Sequence, residues 1–131
     1  MSIDYLSKER VIELNLLVLI IIKVKKADTH KVGNVSKLIK VLDLCKKSSG
    51  DIYDKAIILF KGIINEHPFV SGNRRTAFLA TKLFLLTNDS KFGIKDDSSK
   101  ASIMLGIREG FYSDEEIKEL LKNGKIREFR R

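Results

Sequence analysis

The sequence predicts an all-α protein, and three features carry that expectation. Apolar residues recur at three- and four-residue steps along most of the 131-residue chain, the spacing of helices with one buried face. One Pro and eight Gly leave few places where a helix is forced to break. Side chains able to cap a helix, Ser7, Asp51 and Ser113, stand at the start of three of the periodic stretches.

The first helix is expected after Ser7 and through Lys26, with Val11, Leu14, Val18 and Ile22 on its buried face. Its apolar run LNLLVLIII, Leu14 to Ile22, is interrupted by Asn15 and closed by Lys23, Lys25 and Lys26, far short of the roughly 20 residues that span a bilayer. The start of the chain also lacks the charged opening and small-residue cleavage site of a signal peptide. The run therefore reads as a core helix, with no membrane as partner. ADTHKVGN ends the pattern. A second helix, Val35 to Lys47, is expected to bury Leu38, Ile39, Leu42 and Cys45, and KKSSGD follows as a polar loop. Asp51 caps the third helix, whose Ile52, Ala56, Ile57, Phe60, Ile63 and Ile64 lead to His67. Pro68 stops it, because a residue before proline is pushed out of the α region. The fourth begins near Gly72 and runs through AFLATKLFLL to Thr87, so nearly apolar all round that it reads as the central, most buried helix. NDSKFGIKDDSS is expected as a loop, Ala101 to Glu109 as a helix, and SDEE, Ser113 to Glu116, as the capping box of the last helix. The tail KIREFRR, residues 125–131, reads as a solvated and flexible end.

The length suits one domain over residues 1–131, and no repeat, low-complexity segment or linker divides it. Hydrophobic residues make up 44% and charged residues 32%, a globular composition. A net charge of +8 favours polyanions, nucleotides or an acidic partner. The lysines are spread along the chain with no basic stripe or stacking aromatics beside them, which argues against nucleic acid as the partner. Cys45 is the single cysteine, so no intrachain disulfide can form. Within VLDLC it reads as a buried inert thiol, which fits a reducing cytoplasm.

The chemistry is concentrated in NEHPFVSGNRRTAFLA, Asn65 to Ala80. Two helices separated by HPFVS leave unpaired backbone N–H groups at the mouth of the second, a natural anion site. Gly72 would let a phosphate approach the backbone, Asn73 could add a side-chain donor, and Arg75 could hold phosphate oxygens with its planar fork. His67 stands near enough to take a proton from an attacking hydroxyl, since an imidazole titrates near pH 6.5. Each residue also has a plainer reading: His67 as a helix cap, the two arginines as a solvated face, Phe69 as a core anchor that pins the loop.

Together, the string HPFVSGNRRT, His67 to Thr76, resembles the core motif of the Fic/Doc family, H-x-F-x-(D/E)-G-N-x-R, and most closely its Doc (death on curing) branch, H-P-F-x-D-G-N-K-R-T. DYLSKERVIELN is similar to the family's opening helix and DIYDKAIILFKGIINEHPF to its pre-motif helix, so the resemblance runs over residues 4–88 and only loosely beyond. It implies a helical bundle whose motif loop joins two central helices, with His67 as the base toward a target-protein hydroxyl and Gly72, Asn73, Arg74 and Arg75 around the nucleotide phosphates. Most Fic members transfer AMP from ATP, whereas Doc toxins phosphorylate a translation elongation factor. In the adenylylating pattern a glycine at position 74 lets the α-phosphate nest on the backbone, and a second arginine follows three residues after the first. Here those positions hold Arg74 and Phe78, and Doc's lysine is matched by a cation at position 74. The resemblance thus implies an ATP-dependent phosphotransferase, the toxin of a toxin–antitoxin pair, with a protein adenylyltransferase as the alternative.

Position 71 departs from the pattern. The family keeps an Asp or Glu there to hold the Mg²⁺ that bridges the nucleotide phosphates, and this chain has Ser71. A serine hydroxyl can be a magnesium ligand but brings no charge, so metal affinity should fall. A weakened enzyme, one that recruits Glu66 or Asp51 instead, and an inactive binding module all remain open. The inhibitory (S/T)-x-x-x-E-(G/N) pattern of Fic proteins is also missing: the only Glu-Gly pair, Glu109-Gly110, has Leu105 four residues before the glutamate. The resemblance therefore implies a separate antitoxin.

Overall fold

The computed structural model describes residues 2–21, 33–95 and 100–129, and among these it forms six helices and no strand. They are α1 (Lys8–Ile21), α2 (Val35–Lys47), α3 (Ile52–Glu66), α4 (Asn73–Thr87), α5 (Lys100–Arg108) and α6 (Asp114–Asn123). The expected extension of the first helix through Lys26, with Ile22 on its buried face, lies outside the described residues.

The helix ends follow from local chemistry. The Ser7 hydroxyl accepts from Arg10 N at 3.1 Å at the start of α1, and Asn34 caps α2 by accepting from Lys37 N at 3.2 Å. Reciprocal capping boxes open α3, between Asp51 and Asp54, and α6, between Ser113 and Glu116. At the C-terminus of α2, the buried Lys55 ammonium donates to the carbonyls of Cys45, at 3.3 Å, Lys46, at 3.2 Å, and Ser48, groups a helix end leaves unpaired. Cys45 itself is buried, and that burial pushes its thiol up to about 11, with the nearby Lys55 charge opposing in part.

The centre of the bundle is α3, which packs against α2, α4, α5 and α6 and buries Ala56, Phe60, Ile63 and Ile64 completely. The expectation that α4 is the most buried helix is corrected accordingly. Helix α4 is apolar nearly all round because it is packed on two sides, by α3 and by α1, yet Leu86 is left exposed. The close crossing of α2 over α3 requires Gly62, where an added Cβ would come within 2.6 Å of Val41 Cγ1. Val41, not Ile39, completes the buried stripe of α2; Ile39 is exposed.

Helix α1 buries Val11, Leu14, Asn15, Val18 and Leu19 but leaves Leu16, Leu17, Ile20 and Ile21 exposed. It is a core helix on one face only, the face that meets α4 and α2. The C-terminal segment also departs from a freely solvated end. Tyr112 Oη donates to Arg127 O at 2.9 Å, the Arg127 guanidinium lies 3.9 Å from the Phe111 ring centroid and pairs with Glu116, and Ile126 and Phe129 pack against the core. No described helix is long and apolar enough to cross a membrane.

Candidate active site

His67 is the C-cap of α3, with φ 50° and ψ 57°. Pro68 does end the helix, but through the left-handed region and not through extended backbone. Histidine is among the few non-glycine residues found there, at a cost of order 1–3 kcal/mol that the surroundings must sustain. Those surroundings are a loop held at three carbonyls by three elements. Pro68 O accepts from Asn34 N at 2.8 Å, just before α2. Phe69 O accepts from Asn73 Nδ2 of α4 at 2.9 Å, and Ser71 O from Asn15 Nδ2 of α1 at 2.8 Å. Phe69, buried at 3% exposure, pins the loop to the core as expected.

Two residues read from the sequence as phosphate ligands also hold the loop itself together. Asn73 is buried, and its amide clamps both ends of Phe69: Oδ1 accepts from Phe69 N at 3.0 Å while Nδ2 holds Phe69 O. It shapes the loop from inside. Gly72 has φ 78°, and a Cβ there would lie 3.2 Å from Asn15 Nδ2, Val18 Cγ1 and Leu19 Cδ2. Glycine is demanded by its backbone angle and by the close approach of α1 on the side where a Cβ would stand. The mouth of α4 still has no side-chain cap and no acidic residue in its first turn.

Around His67 the charge is positive. Arg108, in the last turn of α5, directs its guanidinium at His67 Nε2. A guanidinium only donates, so Nε2 accepts and the neutral ring carries its proton on Nδ1. Asn73 Nδ2, 3.4 Å from Nδ1, is then a close neighbour and not a hydrogen-bond partner. Burial, and after it the Arg108, Lys37 and Arg74 charges, lower the His67 pKa below the ordinary histidine value. Arg74 and Arg108 line a cavity of about 240 Å³ together with Leu105 and Glu109. Arg75 is exposed and is not among the residues that line it.

The donor set does not fit Mg²⁺. Among the described residues no three His, Cys, Asp or Glu side chains gather where they could hold a metal. Glu66 lies 3.7 Å from Lys40 in an ion pair. Asp51 caps the far end of α3, a 15-residue helix and so about 22 Å long, which removes it as a substitute ligand. Ser71 itself brings no charge, and the charges that act on His67, those of Arg108, Lys37 and Arg74, are cationic, the opposite of what a dication selects.

The sequence reading missed Asn15, Lys37 and Arg108. Asn15 had a visible signal, a polar residue in the buried register of an apolar run. Arg108 had none, because it stands 41 residues from His67 and comes to it through the packing of α5 on α3. Comparison with curated proteins gives no match. Residues 23–85, which take in α2, α3, the motif loop and most of α4, match the model of the Fic/DOC family.

Proposed function

We propose that the protein transfers the γ-phosphate of ATP to a Ser or Thr hydroxyl of a target protein, as a Doc-like toxin with a separate antitoxin. The family match supports nucleotide-dependent transfer onto proteins in general. The single observation that carries the reading further is the contact of His67 Nε2 with Arg108, a residue that lines a cavity together with Arg74. In the reaction, Nε2 takes the hydroxyl proton as the new oxygen–phosphorus bond forms, the bond to the β,γ-bridging oxygen breaks, and ADP leaves with the electron pair. Arg74 would offset charge on the phosphate oxygens. Gly72 and Asn73 would contribute by fixing the loop, and Arg75, exposed on α4, would meet the nucleotide or target from outside the cavity.

Phosphate transfer is preferred to AMP transfer on two positions. Arg74 is bulky and cationic where the adenylylating pattern has glycine. Phe78, where that pattern has its second arginine, is buried and stacks edge-to-face on Phe92 at 5.1 Å, so no guanidinium can be supplied from there. A translation elongation factor is the target class that the Doc resemblance suggests, and the cytoplasm the matching compartment. The test is incubation of the chain and a cell extract with ATP labelled at the α- or the γ-phosphate. Protein labelled from the γ position alone, and lost in His67→Ala, is the expected result. Label retained from the α position would replace phosphotransfer by adenylylation. A second reading, a binding module without turnover, is favoured by Ser71, and label from neither position in any fraction would establish it.

A further inference from the structure

The contact between Arg108 and His67 joins two features that the motif does not connect. One is the lone pair on Nε2, on which the guanidinium rests. The other is the cavity between the first turn of α4 and the end of α5, whose walls are Arg74, Leu105, Arg108 and Glu109. At about 240 Å³ it is smaller than the roughly 300–1,000 Å³ of pockets that enclose a whole ligand, and suits a phosphate-sized portion of one. Its charge is two guanidinium groups against one carboxylate, and Lys37 of α2 adds a third cation close enough to act on His67. That balance suits an anion held without a carboxylate-bound metal.

A neutral imidazole nitrogen is a single acceptor, whereas a phosphate offers several charged oxygens that match the planar fork of arginine two at a time. Phosphate is therefore the stronger partner for Arg108. We propose that this cavity is a phosphate subsite and that Arg108 is its switch: the guanidinium that covers Nε2 of His67 turns to the phosphate oxygens of an entering nucleotide. Filling the subsite and uncovering the imidazole become one event. Arg108 lies outside residues 23–85, so this residue is a contribution of α5 and not of the matched segment. The inference deepens the transferase reading and takes from it the identity of the phosphate donor, but the subsite itself is testable without turnover.

The experiment uses the full chain in EDTA and two readouts. Inorganic tripolyphosphate and ADP are titrated calorimetrically into the wild type, Arg108→Ala and Arg108→Lys, with Lys82→Ala, an exposed site on α4, as the control for loss of one charge. Loss of a charge-assisted hydrogen bond to phosphate predicts affinity weakened roughly ten- to a hundredfold in Arg108→Ala, with the lysine variant intermediate and the control unchanged. In parallel, acylation of His67 by diethyl pyrocarbonate, located by peptide mass spectrometry, requires the uncovered lone pair and should be faster in Arg108→Ala than in the wild type. Tripolyphosphate that fails to bind the wild type, or binds Arg108→Ala as well as the wild type, overturns the subsite. An unchanged acylation rate overturns the switch. If both readouts behave as expected and no label passes from ATP to protein, the subsite stands and the transferase reading falls.

Discussion

At the scale of single residues, His67 concentrates the constraints: a left-handed backbone angle, a following proline and three cations from three helices. Its lowered pKa has a defined sign in two measurements. The unfolded chain takes up the imidazole proton near pH 6.5 and the folded chain only at lower pH, so the protein should lose stability as pH falls below 6.5 and be unaffected by this group above it. For the same reason the acid limb of kcat/KM should lie below 6.5 and move upward in Arg108→Ala, since the largest of the neighbouring charges has gone. A limb that stays in place would mean that burial, the first cause of the shift, is nearly the whole of it. Ser71 allows a second prediction. Nucleotide binding by the wild type should be the same with Mg²⁺ and with EDTA, and Ser71→Asp should make it Mg²⁺-dependent by adding the carboxylate that the site lacks. Calorimetric titration of ADP across a magnesium series decides it. The candidate base and its loop were legible in the sequence because they are contiguous. The covering guanidinium was not, because no local pattern reports which distant side chain will reach a given nitrogen.

At the scale of elements, the motif loop is held in place by helices that carry no motif. Asn15 is fully buried on α1, and its Nδ2 donates both to Ser71 O and to Thr76 Oγ1, at 2.8 and 3.1 Å, while its Oδ1 has no partner. A polar side chain kept there with an unpaired oxygen ties the entry of α4 to α1 at exactly the level of Gly72's close approach to that helix. Asn15→Leu should therefore cost about 1–3 kcal/mol, since it leaves the buried Thr76 Oγ1 and the part-buried Ser71 O without this donor, although leucine is the more apolar residue. Urea unfolding measures the loss, and amide exchange at residues 70–72 should rise more than within α4. A stabilised variant would show that the clamp is dispensable. The ends of these helices were legible because caps and breaks are local: Asp51 caps its helix as expected, and α2 lies where the apolar pattern put it, although its cap Asn34 was read only as part of the break before it. Which helix is central was not, because an apolar face does not say how many neighbours it meets, and α3 with its intervening Lys55, Lys61 and Glu66 concealed the larger number.

At the scale of the molecule, α3 links the fold to the chemistry, since the same helix that packs against α2, α4, α5 and α6 ends in His67. Any disturbance that shifts α5 on α3 shifts Arg108 relative to the imidazole it covers. We propose on this ground that the chain unfolds as one domain, its C-terminal helices melting together with the motif loop. Phe60, fully buried in α3, gives the means of testing it. Phe60→Ala should destabilise by about 3–5 kcal/mol through lost burial and the cavity left behind. That is a large share of the roughly 5–15 kcal/mol that holds a domain together. In a two-state protein the helical circular dichroism and the reactivity of His67 toward diethyl pyrocarbonate would change at one urea concentration, in the wild type and, at lower urea, in Phe60→Ala. If His67 becomes reactive well before the helical signal falls, α5 detaches first. The contact between Arg108 and His67 would then report the local docking of one helix, and control of the site would belong to whatever holds α5 in place.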